Sequence, residues 1–284
     1  MQDRDIWLVR RQSGGGTVYH DRGNSLYTVF MPRKDFTRRA SAALVTRSLH
    51  MLDIPASVNE RNDIVIGSCK ISGSAYKIIG KNAYHHGTML ISSNLNELAD
   101  CLRSPRTNIE SKGVDSVRSP VTKLVDYSLT VDHDAFCTAV TDEFYRTYNP
   151  EAEQRRPIVI DATTALANRH IVEYRDKLKS WEWIFGQTPE FTNTVRCEQP
   201  WLKASLVIRV RHGLVQTAHW NIEVGTEVLQ AVLRRVADAL VGARHEPSDL
   251  SEIVSRTLLE QQTPSLTSAS PQTTDLLKLI TEQL

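Results

Sequence analysis

The segment from Arg10 to Asn24 constrains the fold most, because it holds a Ser-Gly-Gly-Gly turn preceded by two arginines and followed by a His-Asp pair. Three consecutive glycines cost backbone entropy, so they are expected where the backbone takes positive φ or approaches a ligand closely. Apolar residues at 6–9 predict a strand entering the turn, and those at 26–30 predict a strand leaving it. The pattern predicts a glycine loop between strands that is suited to an anion.

This loop differs from two familiar phosphate-binding loops. Dinucleotide folds and P-loops place their glycines at the start of a helix, and the P-loop also ends in Gly-Lys-Ser/Thr. That ending is absent after Gly16, and strand-like residues rather than a helix follow it. A plain glycine-rich hairpin with surface arginines at Arg10 and Arg11 remains the alternative interpretation of this segment alone.

Composition limits the function classes. The 34 Lys and Arg against 33 Asp and Glu give no electrostatic reason to expect nucleic acid or a membrane as a partner. No apolar run reaches the ~20 residues needed to span a bilayer, which predicts a soluble protein. The four cysteines lie far apart and never form Cys-x-x-Cys. They therefore indicate neither a zinc site nor a disulfide framework, and they suit a reducing compartment such as the cytosol or the mitochondrial matrix.

Periodicity predicts two domains. The first half alternates helix-like and strand-like segments, with an antiparallel meander of strands and helices on either side of it. The predicted elements are a helix over 35–52, strands at 64–66, 70–77 and 88–91, a helix capped by Asn94, and helices over 132–148 and 166–183. A hairpin with its turn at 211–213 and helices over 226–241, 250–259 and 276–284 predict a small α+β domain. The boundary is expected near residue 190, giving domains 1–189 and 190–284.

A second segment with potential chemistry runs from Lys70 to the His-His pair. Gly73–Ala75 is built of small residues that leave room for a ligand, and Lys70 beside it could direct its charge at a carboxylate or phosphate. Lysine is seldom fully buried, so an exposed lysine on an edge strand is the alternative. His85 and His86 alternate between the faces of a strand, so at most one of them points at a given site.

Five motifs occur in one order along the chain, and together they resemble the lipoate-protein ligase A family and the mitochondrial lipoyltransferases. They are Arg-Arg-x-Ser-Gly-Gly-Gly-x-Val-x-His-Asp-x-Gly-Asn, Arg-Asn-Asp, Lys-x-Ser-Gly-Ser-Ala, His-His-Gly-Thr and Ser-Trp-Glu-Trp-x-x-Gly-x-x-Pro-x-Phe. The resemblance extends from about Asp5 to Phe191. It implies a class II aminoacyl-tRNA synthetase and biotin ligase type of catalytic domain, a mixed α+β sheet with flanking helices, followed by a small α+β accessory domain.

The resemblance implies a reaction in two steps. Lipoate attacks the α-phosphate of ATP to give lipoyl-AMP, and the lipoyl group then passes to a lysine of an apo lipoyl domain. The implied carriers are the E2 subunits of 2-oxoacid dehydrogenases and the glycine cleavage H protein. A carboxylate and a triphosphate repel each other, so cations and oriented amides are needed to hold them, and Mg²⁺ is expected to take part of the charge. A monomer is expected, in the mitochondrial matrix of a eukaryote or otherwise in the cytoplasm.

The family's functional residues fall on specific positions of this sequence. Lys70 is implied to be the catalytic cation at the acyl-adenylate, and Asp63 a Mg²⁺ ligand. The other implied binding residues are Arg11, Ser13, Gly14, Gly15, Gly16, His20, Asp21, Asn62, Gly73, Ser74, Ala75, His86, Gly87 and Thr88. The apolar tail of lipoate needs an apolar site, for which position alone suggests Val18, Tyr19 and Tyr76.

The chain departs from the family pattern before Ser13. In the family, several tens of residues with further strands and an Ile-Gly-Arg-x-Gln-Asn type segment precede the glycine loop, whereas Ser13 lies near the start of this sequence. The resemblance therefore predicts missing N-terminal strands, an exposed sheet edge and weak lipoate activation by this polypeptide alone. Two alternatives follow. One is a transfer-only lipoyl or octanoyl transferase, which uses preformed acyl-AMP or, if it forms a thioester, needs a reactive cysteine, for which Cys69 is the nearest. The other is an inactive binder of lipoyl domains.

Overall fold

The computed structural model describes residues 6–103, 108–113, 119–151 and 157–259, together with positions 275, 276, 278 and 280. The chain divides into two compact units. The N-terminal unit comprises residues 11–104 and 114–165, and the C-terminal unit comprises residues 1–10, 105–113 and 166–284. In this division residues 166–189 belong to the same unit as the C-terminal strands, and the boundary expected near residue 190 stays a prediction.

The N-terminal unit is built from short antiparallel sheets. Its strands are β1 (Asn24–Pro32), β2 (Ser57–Val58), β3 (Ile64–Ile66), β4 (Cys69–Ser72), β5 (Ser74–Ile79) and β6 (Asn82–Leu90). They form one sheet of order β1-β6-β5 and another of order β2-β3-β4. All ladders between them are antiparallel, while an isolated bridge between Lys70 and Val121 is parallel.

Three helices of this unit begin at residues whose side chains cap them. They are α1 (Arg38–His50), α2 (Leu95–Cys101) and α3 (His133–Tyr148), capped by Thr37, Asn94 and Asp132. Each cap accepts a hydrogen bond from a backbone N–H that the helix leaves unpaired. The helices predicted from the sequence in these three regions are therefore confirmed.

The core of the unit lies between α1, α3 and the sheets. Leu44 and Leu49 of α1 and Phe136 of α3 are fully buried there, next to Ile71 of β4. The buried carboxylate of Glu143 accepts a hydrogen bond from Arg47 Nε at 2.6 Å, which compensates its burial and ties α3 to α1. The helices therefore provide a fixed support for the strands that carry the candidate site.

Two strand predictions needed correction. Residues 6–9 are not in a strand of the structure, although their apolar character predicts one. The strand predicted over residues 70–77 is divided at Gly73 into β4 and β5, which belong to different sheets. The apolar and β-branched residues satisfied the local pattern in both cases, but pairing partners decide where a strand forms.

The C-terminal unit packs helices on an antiparallel sheet. Its strands are β7 (Ile109–Ser111), β8 (Phe191–Gln199), β9 (Leu202–Arg211) and β10 (Leu214–Val224), in the order β10-β9-β8-β7. The turn between β9 and β10 has positive φ at His212 and Gly213, as the predicted hairpin requires. Helices α7 (Glu227–Leu240) and α8 (Pro247–Leu259), which follow β10, bury their apolar side chains in the core of this unit.

The helix predicted over 166–183 is three helices. They are α4 (Ala162–Ala167), which crosses the division between the units, α5 (Arg169–Lys179) and α6 (Trp181–Ile184). Asn168 and Ser180 interrupt the helix because each takes an extended conformation and caps the helix that follows. The Trp181 indole donates to Glu246 and lies under Arg244, which explains why this region groups with the C-terminal unit.

Two further sequence expectations concern the chain as a whole. The last predicted helix, over 276–284, falls mostly outside the described residues. Among the helices that the structure describes, none is both long enough and apolar enough to cross a membrane.

Candidate active site

The glycine loop at Gly14–Gly16 is held by Arg11. Its guanidinium donates to the carbonyl oxygen of Gly14 through Nε at 3.2 Å and Nη2 at 2.8 Å, and Nη2 also donates to Gly16 at 2.9 Å. Burial lowers the pKa of Arg11. Gly15 has φ of +102°, a conformation that L side chains rarely adopt. One cation therefore fixes two of the loop's carbonyls, those of Gly14 and Gly16.

The carbonyls of Gly14 and Gly16 accept hydrogen bonds from Arg11, whereas the backbone N–H groups of the loop are unpaired in the described part of the chain. Within the described residues, the backbone N–H groups of Gly14, Gly15 and Gly16 donate no hydrogen bond. Successive free N–H groups in a turn form a concavity that binds anions. With its carbonyls held by Arg11, the loop offers these donors to a carboxylate or phosphate.

The loop rests on one face of the β1-β6-β5 sheet, here named the loop face and marked by Ala75 and His86. A Cβ at Gly15 would lie 3.7 Å from the Cβ of Ala75, and Ser13 Oγ hydrogen-bonds to His86 Nε2. Burial, followed by the charge of Arg11, lowers the pKa of His86. A lowered pKa favours the neutral ring, in which an unprotonated Nε2 accepts a hydrogen bond from the Ser13 hydroxyl.

Sequence reasoning missed Lys77, which also lies on the loop face. Its Nζ donates to the carbonyl oxygen of Gln12 at 2.9 Å, at the start of the glycine loop. The signal was present, because Lys77 lies two residues after Ala75 on β5 and so must share its face. The loop is thus flanked by two cations, Arg11 and Lys77.

Lys70 forms a separate, half-buried ion pair. Its Nζ lies 2.6 Å from Asp63 Oδ1, and its strand is fixed by backbone hydrogen bonds to Pro120 and Thr122. Asn59 Oδ1 accepts from the N–H of Asp63 at 2.9 Å, while Asn62 takes φ of +62° in the same turn. Of the predicted pair Asn62 and Asp63, Asp63 is therefore brought to Lys70. Asn59, which sequence reasoning missed, shapes the turn that contains them.

The described residues do not fit a magnesium site built by the protein. Asp63 Oδ1 is paired with Lys70, and Asp63 Oδ2 lies 4.0 Å from Arg61 Nε. No cluster of three or more His, Cys, Asp or Glu side chains able to hold a metal ion occurs in the part of the chain that the structure describes. Mg²⁺ binding at Asp63 therefore stays a prediction from the resemblance.

The predicted site residues of β5 and β6 divide between two faces of the sheet. Ser74 precedes Ala75 on β5 and so points to the opposite face, here named the helix face because Tyr27 contacts Phe136 of α3 there. Gly87 follows His86 on β6 and lies against the Tyr27 ring. Tyr76, a candidate for the apolar tail, is also on the helix face, where it stacks on His85 at 4.7 Å.

Three other predicted residues, Thr88, Asp21 and His20, form side-chain hydrogen bonds to neighbouring segments. Thr88 Oγ1 accepts from the Gly73 N–H at 2.9 Å, which fixes the corner between β4 and β5. Asp21 accepts from the N–H groups of Gly23 and Asn94 at 2.9 and 2.7 Å. His20 Nδ1 hydrogen-bonds to Asn24 at 2.9 Å. The contacts of His20 and Asp21 are made with Gly23, Asn24 and Asn94, and their expected role at the base of the glycine loop stays a prediction.

Comparison with known proteins decides the family. Residues 1–145 match the family model described as the lipoyl protein ligase A/B catalytic domain. A protein of Psychrobacter cryohalolentis named lipoate-protein ligase A is 30% identical over 241 residues, which are 84% of this chain and 71% of that protein. This chain belongs to the lipoate-protein ligase family.

The lipoate-protein ligase relatives are longer than this chain. A relative from Schizosaccharomyces pombe is 38% identical over 231 residues, 76% of this chain, and the match covers 63% of that protein. The chain thus spans about two thirds of the length of the curated relatives that it matches.

Solved structures of lipoate ligases share the fold. LipL1 of P. falciparum, crystallised with lipoate, is 22% identical with a TM-score of 0.55, and the match covers 99% of this chain and 78% of that one. The bipartite lipoate protein ligase of Thermoplasma acidophilum, described with its E2 lipoyl domain, is 27% identical with a TM-score of 0.51. That match covers 65% of this chain and 72% of the archaeal one. The predicted α+β ligase fold is confirmed.

Replacing Gly15 by alanine is expected to weaken anion binding by the loop more than replacing Gly14 does. Alanine at φ of +102° is strained by about 1–3 kcal/mol, and its Cβ would lie 2.7 Å from Arg11 Nη2. A Cβ at Gly14 meets nothing within 4 Å. Titration with a non-hydrolysable acyl-adenylate analogue measures both variants, and equal affinities would contradict the assigned loop conformation.

Buried His85 predicts a loss of stability in acid. Burial, followed by the charge of His86, lowers its pKa to about 4. In the unfolded chain His85 is protonated as the pH falls below about 6.5, whereas in the folded chain it stays neutral until the pH approaches 4. The free energy of unfolding is therefore highest above pH 6.5. It falls by up to about 3 kcal/mol as the pH decreases towards 4.

Replacing His85 by phenylalanine is expected to flatten that pH dependence. Neither ring nitrogen of His85 has a hydrogen-bond partner in the described structure, so phenylalanine loses no such bond. Urea unfolding followed by circular dichroism between pH 4 and 7.5 measures the effect. An unchanged slope in the variant would show that another group causes the acid sensitivity.

Proposed function

We propose that this chain is an ATP-dependent lipoate-protein ligase. It would join lipoate, or a related acyl chain, to AMP and then transfer the acyl group to a lysine of an apo lipoyl domain, such as those of E2 subunits or the H protein. The observation that carries the proposal is the set of free N–H groups at Gly14–Gly16, whose carbonyls are held by Arg11. Membership of the lipoate-protein ligase family supports it.

In the first step a carboxylate oxygen of the acyl chain attacks the α-phosphorus of ATP. A new P–O bond forms, the bond to the β-phosphate breaks, and pyrophosphate leaves with the electron pair. The loop amides would bind the reacting anions, and the ammonium group of Lys70 would stabilise the negative charge that accumulates on them. The contact between Lys70 and Asp63 at 2.6 Å holds that ammonium in place.

In the second step the neutral amine of the carrier lysine attacks the acyl carbonyl carbon. An amide bond forms, the bond from the carbonyl carbon to AMP breaks, and AMP leaves while the amine loses a proton. The loop N–H groups are suited to the negative oxygen that develops on the carbonyl. The contact between Ser13 and neutral His86 keeps one end of the loop against β6.

The direct test is the mass of an apo lipoyl domain after incubation with the protein, lipoate and ATP. Addition of one lipoyl group to one lysine is expected, with a faster reaction from preformed lipoyl-AMP. Modification of the carrier by lipoyl-AMP but not by lipoate with ATP would support a transfer-only enzyme. No modification from either donor by folded protein would overturn the proposal and leave a non-catalytic lipoyl-domain binder.

A further inference from the structure

The C-terminal unit carries an open apolar groove of about 920 Å³. One wall is α5, which contributes Ile171, Tyr174 and Leu178, and the other is the segment from Trp7 to Val9, which lies outside regular secondary structure. Trp7 is 78% exposed and Val9 is 69% exposed. Large apolar surfaces that stay in contact with water usually mark interaction sites.

The backbone of the wall formed by Trp7–Val9 also has unpaired hydrogen-bonding groups. Within the described residues, the backbone N–H and C=O groups of Ile6–Val9 make no hydrogen bond. Small-molecule pockets normally bury most of their ligand, which this open wall cannot do. Trp7, Tyr174 and Arg175 are of the residue types enriched at the centres of protein interfaces. The groove therefore fits a protein surface better than a small ligand.

The charges of the groove indicate the chemistry of its partner. Its charged side chains are Arg175 and Lys179, its other titratable side chains are His170 and Tyr174, and no Asp or Glu lines it. Arg175 also contacts Asp176 at 2.8 Å, outside the lining. A partner whose apolar contact residues are flanked by carboxylates complements this surface.

We infer that this groove docks the carrier domain, through an acidic carrier surface with apolar residues at its centre. This inference rests on the proposed function, which requires a protein partner that presents a lysine. The segment that forms one wall leads within two residues from Val9 to Arg11, the residue that holds the glycine loop. The segment that lines the groove and the residue that holds the glycine loop are therefore close neighbours in the sequence.

The test measures binding of an apo lipoyl domain to the full chain by calorimetry, without lipoate or ATP. The double variant Arg175→Glu with Lys179→Glu is expected to weaken binding by about tenfold or more, because it reverses the charge of the groove. Trp7→Ala is expected to weaken it as well. Both variants change exposed side chains, so the fold is expected to persist.

The matched control is Arg169→Glu on the same helix, since Arg169 is exposed, pairs with Glu173 and does not line the groove. Unchanged binding in the control supports the groove. Equal loss in the control, or unaltered affinity in the double variant and in Trp7→Ala, would overturn it. The rate of lipoyl-AMP formation, measured separately, distinguishes failure of the groove from failure of the proposed function.

Discussion

Replacing Lys70 by methionine is expected to slow carrier lipoylation from lipoate and ATP by about a hundredfold or more, since removal of one preorganised charge donor typically costs that much. Methionine keeps most of the apolar stem and removes the ammonium group. Lys70 lies on β4, fixed by backbone contacts to Pro120 and Thr122, so the strand is expected to remain in place. Liquid chromatography with mass detection of the modified carrier measures the rate.

A matched control is Lys81→Met, because Lys81 is exposed in the turn after β5. Its rate is expected to stay within about twofold of the unaltered chain, as is usual for surface substitutions away from a site. If the lipoylation rate falls in Lys70→Met but not in Lys81→Met, the ammonium group of Lys70 takes part in the reaction. A Lys70→Met protein that folds and lipoylates at the normal rate would remove Lys70 from the site.

Replacing Gly87 by alanine is expected to destabilise the N-terminal unit by about 2–3 kcal/mol through overpacking. An added Cβ would lie 2.4 Å from Oη and 2.5 Å from Cζ of Tyr27. The Tyr27 ring cannot move away easily, because it is buried between Phe136 and His85 and hydrogen-bonded to Ser72. Burial raises the pKa of this phenol to about 12.

Urea unfolding followed by far-ultraviolet circular dichroism measures this effect. Gly14→Ala is the control for stability, since a Cβ there meets nothing within 4 Å. A Gly87→Ala protein as stable as the control would show that the Tyr27 ring does not lie against this strand. The expected difference gives Gly87 a packing role on the helix face, distinct from ligand contact.

The sequence predicted the parts of the fold that depend on local chemistry. Asn94 and Asp132 cap helices as their side chains allow, and the hairpin turn at His212 and Gly213 takes the positive φ expected of it. Asn168 and Ser180 also cap helices, yet they lie inside a segment whose periodicity indicated one helix. Local capping interrupted the helix there, and periodicity alone does not report it.

The sequence points to candidate site residues more readily than to their arrangement. The glycine loop, His86 and Lys70 were singled out because glycine runs and small-residue segments leave a sequence signal, and their roles in the site stay predictions. Their partners depend on contacts between distant segments, such as Ser13 with His86 and Lys77 with Gln12. Consecutive residues of a strand point to opposite faces, so Ala75 and Ser74 lie on different faces of the sheet. The motif names both residues without distinguishing their faces.

Whether Gly14–Gly16 bind the adenylate can be measured from their backbone amide resonances during titration with a non-hydrolysable lipoyl-adenylate analogue. These N–H groups donate no hydrogen bond within the described residues, so binding of the anion should shift their proton resonances strongly downfield. Resonances of exposed Gly67 and Gly80, which lie at turns outside the site, should stay in place. Saturable binding of the analogue without a shift at Gly14–Gly16 would contradict the assignment of the loop as the adenylate site.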